Sequence, residues 1–151
     1  MKIVICAGLE FTYKIKKVAN ELMKRGHKVI IPKTSEMILN GKVNLEQIKR
    51  EKESGEIVKR AKKYDVIRYY FEKIKEADAI LVLNYDKKGI KNYIGGNVFL
   101  EMGFAYVLNK KIFLLNPIPE ISYQSEIKTM EPVILYGDLG KNKIKRSKLS
   151  Q

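Results

Sequence analysis

Two residue types on which enzymes often build their chemistry are almost missing from this chain, which has one cysteine, Cys6, and one histidine, His27. A single cysteine excludes an internal disulfide and agrees with a reducing compartment. No histidine lies near Cys6 in sequence, so its thiol is expected to act as a small buried apolar group and not as a nucleophile. His27 follows Gly26, which ends a helical pattern, and is expected at the surface. Catalytic triads and histidine-based metal sites are thereby disfavoured. Neither a G-x-G-x-x-G fingerprint nor a P-loop occurs, so a dinucleotide or ATPase function has no motif to support it. No apolar run approaches the ~18 residues of a membrane span. The apolar run at residues 1–7 is too short and too soon interrupted for a signal peptide, and a cytoplasmic protein is the expectation.

What the chain does have is enough apolar material for one core: 45% of its 151 residues are hydrophobic. That length suits a single domain. Its formal net charge is +13, and Lys141, Lys143, Lys145, Arg146 and Lys148 crowd the C-terminal end with no acid among them. We expect one domain over residues 1–140 and a basic, flexible tail over 141–151. No aromatic RNA-binding signature, zinc knuckle or helix-turn-helix accompanies the charge. Nucleic acid is therefore a possible partner but not the favoured one, and small phosphorylated or nucleotide-like anions are the more economical inference.

Strand and helix signals alternate along the chain, the pattern of stacked βαβ units. Strands are expected at residues 2–6, 28–32, 79–83, 111–115 and 132–136. The first helix, 12–25, places Ile15, Val18, Ala19, Leu22 and Met23 at helical spacing. Residues 34–43 have no clear period and are expected to form a loop. Asn44 followed by Gln47 is a capping-box pattern opening a charged helix toward Lys63, with Glu46/Arg50 and Glu56/Arg60 as supporting pairs. Asp65 is expected to cap the next helix, on which Val66, Ile67, Tyr70, Phe71, Ile74 and Ala77 form one apolar face. A polar, glycine-bearing loop leads to a helix over 97–109, and a short helix follows at 122–130. The fold class is α/β: a flavodoxin-like or Rossmann-like, doubly wound, mostly parallel five-stranded sheet.

In such sheets ligands bind beyond the carboxyl ends of the strands, where the strand order switches. Gly8 stands at one such end, either to let a ligand approach the backbone or simply to make the turn. With histidine and cysteine set aside, carboxylates remain. Glu101 lies four residues after Asn97, which is expected to cap its helix, in an apolar neighbourhood that includes Phe99, Leu100 and Phe104. A carboxylate kept ionised there by the helix dipole is a competent nucleophile; the alternative is a glutamate that merely offsets the dipole.

Asp78, the apolar run Ala79-Ile80-Leu81-Val82-Leu83, Asn84, the turn Gly95-Gly96-Asn97, then Glu101-Met102-Gly103-Phe104-Ala105 and Lys110-Lys111-Ile112 together resemble the nucleoside 2-deoxyribosyltransferase superfamily. That superfamily also contains deoxynucleoside 5′-monophosphate N-hydrolases. Its pattern is an aspartate before a buried strand, a polar loop, a glycine-containing turn, E-x-G-x-A and a lysine-led strand. The resemblance covers about two thirds of the chain and implies a Rossmann-like domain that breaks or transfers an N-glycosidic bond, with no metal or organic cofactor. Glu101 would attack the anomeric carbon, in the two-step logic of retaining glycosidases.

The resemblance also implies roles for other residues. Asp86 would protonate the departing base, because the family's usual loop acid is replaced here by Gly95. Asn84 and Asn97 would bind sugar hydroxyls, with Gly8 and Gly96 beside the ligand. Gly103 and Ala105 would let their helix pack close to the sheet. Gly8-Leu9-Glu10-Phe11 departs from the family's small polar first loop. Apart from the resemblance, Arg68 lies off the apolar face of its helix and would grip a 5′-phosphate, or else pair with Glu72. Glu126 and Met130 would complete a neighbouring subunit's pocket, which implies a homodimer or higher homo-oligomer. The partner is then a small nucleoside or nucleotide. A catalytically weak nucleotide-binding module of the same fold is the alternative, motivated by Gly95.

Overall fold

Three β-branched residues in a row, Ile3-Val4-Ile5, make β1 (Lys2–Cys6), and everything in it after Lys2 is buried. The structure, a computed structural model, describes residues 1–140 and Ile144. The basic residues expected in a flexible tail therefore lie outside the described residues. After β1 the chain turns at Gly8 through a single 3-10 turn into α1 (Thr12–Lys24). This helix buries Ile15, Val18, Ala19 and Leu22, while Met23 is exposed. Met23 was expected on the apolar face, but it is next to Leu22, and one residue rotates ~100° around a helix. Gly26, with φ of 91°, closes the helix, and the chain enters β2 (Lys28–Ile30). His27 is half-buried there, where the surface was expected.

The expected loop at 34–43 is largely a helix, α2 (Lys33–Leu39). Its inward positions are Thr34, Ser35 and Ile38, and the buried Ser35 hydroxyl meets Thr12 Oγ1 at 2.9 Å. A face made of hydroxyls has no apolar period to read, so the helix was invisible to pattern. Asn44 caps α3 (Leu45–Ser54) as expected, its Oδ1 accepting from Gln47 N–H at 2.8 Å. The charged helix does not run on to Lys63. It breaks at Gly55, whose φ of 83° is left-handed, and restarts as α4 (Ile57–Lys63).

That break re-pairs the charges. Arg60 forks onto Glu51 at 2.8 and 2.9 Å instead of pairing with Glu56, and Glu46 meets Lys49 at 3.7 Å instead of Arg50. Asp65 adopts a φ of 46° and makes no side-chain cap for α5 (Val66–Glu76). α5 buries Tyr70 and Ile74 but leaves Ile67 exposed.

β3 (Ala79–Val82) is buried throughout, as is β4 (Lys111–Leu114) after its first residue. α6 (Gly96–Val107) joins them, then α7 (Gln124–Thr129) and β5 (Val133–Ile134) complete the fold. All strands are parallel, in the order β2-β1-β3-β4-β5. This is the flavodoxin-like doubly wound arrangement, and the order reverses at β1/β3. Alternate strand residues face opposite helical layers. Ile3, Ile5, Leu81 and Phe113 pack with α1, whereas Val4, Cys6, Ile80 and Val82 pack with α5 and α6. Ala105 is fully buried in the second layer, but a Cβ on Gly103 would meet nothing within 4 Å, so close packing is not what Gly103 provides within one chain. No helix among the described residues is long and apolar enough to cross a membrane.

Candidate active site

β1 and β3 end level, Cys6 beside Val82, and past their carboxyl ends lies a cavity of about 290 Å³. Its size is at the lower edge of what small-molecule sites usually occupy, ~300–1,000 Å³. The loop after β1 contributes Gly8 and Glu10, α3 contributes Lys52, and the loop after β3 contributes Lys87 and Lys88. Tyr70 comes from α5, and Gly95, Gly96, Asn97, Val98 and Glu101 come from the start of α6.

α6 opens differently from the expected Asn97 cap. Gly95 occupies the cap position and Gly96 begins the helix, with no side-chain cap, so an uncapped first turn runs along the cavity. Asn97 lies within that turn and is exposed toward the cavity it lines. Val98, Met102 and Ala105 are the buried stripe that seats α6 on the sheet.

Glu101 follows one turn later, and its carboxyl group is held against the end of β1, where the Cys6 thiol donates a hydrogen bond to it. Burial pushes the Glu101 carboxyl up to about 8, although the Cys6 hydrogen bond pulls the other way. The expectation that the helix dipole would keep this group ionised is therefore corrected. The dipole is worth about 0.3–1 kcal/mol and fades beyond the first turn, whereas desolvation can move a fully buried acid by several pKa units. At neutral pH Glu101 is mostly protonated. Among the described residues it makes no ion pair, so its proton is held by its surroundings and not by a charged partner.

Cys6 is completely buried, as expected, but its contact with Glu101 was not. Burial and then the Glu101 charge push the thiol well above its usual range, which keeps it a donor. Tyr70, buried beside it, is also pushed up, by burial first and then by Glu101, and its hydroxyl donates to Ile5 O at 3.3 Å.

The second carboxylate of the cavity is Glu10 and not Asp86. Asp86 is exposed and outside the cavity lining, and its Oδ1 accepts from Asn92 N–H at 2.8 Å. It thereby braces the loop in which Lys88 and Gly89 are both left-handed and Lys87 bridges to Ile90. Glu10 reaches the cavity because Gly8 has no side chain: a Cβ there would stand 2.5–2.8 Å from the Glu10 carboxylate. Lys87 Nζ touches Glu10 Oε1, and Lys52 Nζ lies 3.7 Å from Oε2. Burial by itself would raise this carboxyl, but Lys87, with Lys52 beyond it, outweighs burial and holds the pKa below its ordinary value. Glu10 registered in the sequence only as a departure from a pattern. Its position two residues after the strand-end Gly8 was the one available signal.

Other expected site residues are placed elsewhere. Asn84 is completely buried and spends its amide on the neighbouring loop, donating to Asn116 O at 2.9 Å and Pro117 O at 3.1 Å and accepting from Asn116 N–H at 2.9 Å. It ties two strand ends together and has nothing left for a sugar. Arg68 points away from the cavity, 84% exposed, and pairs with Asp65 at 3.2 Å rather than with Glu72. Glu126 is exposed on α7, Met130 packs on the second core layer, and neither lines the cavity of its own chain.

No protein-family model matches this chain, and no curated protein does so significantly. Among solved structures it is similar to a CMP N-glycosidase, BcmB, of Clostridium botulinum, with 16% sequence identity, coverage of 99% of this chain and 98% of that chain, and a TM-score of 0.49.

Proposed function

We infer that this protein cleaves the N-glycosidic bond of a nucleoside or nucleotide, with Glu101 as the nucleophile. The observation that carries this reading is a carboxyl group free of ion pairs among the described residues and lining a cavity at the strand-order switch. At a pKa of about 8, roughly a tenth of Glu101 is ionised at pH 7, and that fraction is the attacking form. The match of Glu101-Met102-Gly103-Phe104-Ala105 to the E-x-G-x-A pattern supports the same reading.

In the first step, ionised Glu101 attacks the anomeric carbon, and the bond to the base breaks with its electron pair leaving on the base nitrogen. In the second, water attacks the resulting glycosyl ester, restoring the carboxylate and releasing the sugar; a second free base in place of water gives transfer. Glu10, held ionised by its lysines, is no proton donor at neutral pH, so the base departs with a proton from solvent. Incubation with a deoxynucleoside or its 5′-monophosphate, with and without a second base, tests the scheme. Base release is the expected result, and Glu101→Gln should reduce it at least ~10³-fold. Turnover unchanged in that variant would remove the reading.

The absence of a protonated carboxyl group other than Glu101 among the described residues lining the cavity favours one second reading, a catalytically weak module that binds a nucleotide and leaves it intact. Tight binding of a nucleotide recovered unchanged after incubation would select it. Assembly is a further part of the proposal. α6 leaves Leu100, Tyr106 and Val107 exposed beside the open Gly103, an apolar surface suited to a second copy of the chain. Sedimentation should show a dimer; a monomer at all concentrations would exclude a composite pocket involving Glu126 and Met130.

A further inference from the structure

Three pieces of chain that are distant in sequence bring charge to one side of the cavity: Glu10 after β1, Lys52 in the last turn of α3, and Lys87 and Lys88 in the tight turn after β3. The cations outnumber the anion. Glu10 is the carboxylate that meets Lys87 and Lys52, and Lys88 is close enough for its charge, like that of Lys87, to disfavour a proton on Lys52. Burial is the larger influence on Lys52, and it too lowers the pKa, while the Glu10 charge works against it. Arg60 is not available for a ligand, because Glu51 already occupies its fork.

Gathering like charges in a partly buried site costs free energy unless an anion is there to share them. Here the chain supplies that anion itself. Glu10 folds back over Gly8 to reach the lysines, into space that any side chain at position 8 would have taken. A carboxylate brings one negative charge and two oxygens. A phosphate monoester brings about −1.5 to −2 charges and three acceptor oxygens, and it suits several ammonium groups better than a carboxylate does.

We propose that Lys52, Lys87 and Lys88 form the seat for the phosphate monoester of a phosphorylated ligand, and that Glu10 is the internal anion which occupies this seat until the ligand displaces it. The proposal rests on the reading of this cavity as the substrate site and narrows the substrate to a phosphorylated one. The phosphate role expected for Arg68 passes to these lysines.

The test is calorimetric titration of the full chain with a deoxynucleoside 5′-monophosphate, ribose 5-phosphate, inorganic phosphate and the unphosphorylated deoxynucleoside, at low and high salt. The monophosphate should bind at least about tenfold more tightly than the unphosphorylated nucleoside, and salt should erode that preference. Lys52→Met and Lys87→Met should each shrink the preference by about tenfold, while Lys87→Arg retains most of it. Glu10→Gln, lacking the internal competitor, should bind ribose 5-phosphate about tenfold more tightly than the unaltered chain.

Thermal melting of each variant separates loss of the seat from loss of the fold. Equal affinity for phosphorylated and unphosphorylated ligands overturns the seat, as does an undiminished preference in well-folded Lys52→Met and Lys87→Met. Weaker binding in folded Glu10→Gln overturns the displacement. Binding of inorganic phosphate alone, with no preference for the monophosphate over the nucleoside, also overturns the proposal. Lysine-dependent binding without base release would leave the seat standing and remove the glycosidase reading. Base release that ignores the 5′-phosphate would do the reverse.

Discussion

A fully solvated carboxyl group titrates near 4.5, and Glu101, only partly exposed at the cavity wall, is held to about 8 because its surroundings solvate the charged form poorly. Two measurable consequences follow from that one proton. If the ionised form attacks, kcat/KM should rise about tenfold per pH unit below 8 and level off above it; a flat profile between pH 6 and 9 would assign the attack to another group. The same proton bears on stability. The unfolded chain releases it near its ordinary value, whereas the native chain keeps it until about pH 8. Between those values the native state binds more protons, so stability falls as pH rises and stops falling above 8. Glu101→Gln escapes this loss, so its melting temperature should match that of the parent near pH 4.5 and exceed it by several degrees at pH 9. Cys6→Ala removes the donor that opposes burial, so the activity profile should move to higher pH. Cys6→Ser, which keeps a donor, should hold it in place.

At the scale of elements, the joint between α3 and α4 decides where Lys52 and Arg60 come to rest, and it turns on Gly55. A side chain is strained at φ of 83°, so Gly55→Ala should cost about 1 kcal/mol, seen as a melting temperature about 2–4 °C lower. This joint could not be read from sequence, because charge pairs four apart support a continuous helix and a broken one equally. Legibility followed the source of each element's stability. β1 and β3 were plain because β-branched and apolar runs buried on both faces leave a local trace, and α1 because its apolar stripe does. α2 left none, since two of its three inward positions are Thr34 and Ser35. The site divides in the same way. The place of Glu101 at the cavity was legible from the glycine turn and helix around it. Asn84 was misassigned and Glu10 passed over because their partners, Asn116 for one and Lys52 and Lys87 for the other, are remote along the chain.

For the molecule as a whole, the formal charge of +13 has a place to act. A cavity with lysines on its open side concentrates anions at its mouth, so association of a phosphorylated ligand should slow several-fold between low salt and ~0.15 M, with a smaller change in dissociation. Stopped-flow binding would measure both rates, and a salt-independent association rate would place the excess charge away from the cavity. The parallel sheet fixes the two acids of this cavity on separate supports, one just past β1 and one on α6, and their environments push them in opposite directions. Glu10 changes state only in acid more extreme than carboxylates ordinarily need, and Glu101 only in mild alkali. A proton uptake or release recorded across the neutral range can therefore be assigned to Glu101 alone among the cavity carboxylates. That assignment holds for the ligand-free protein, in which Glu10 still meets Lys87 and Lys52.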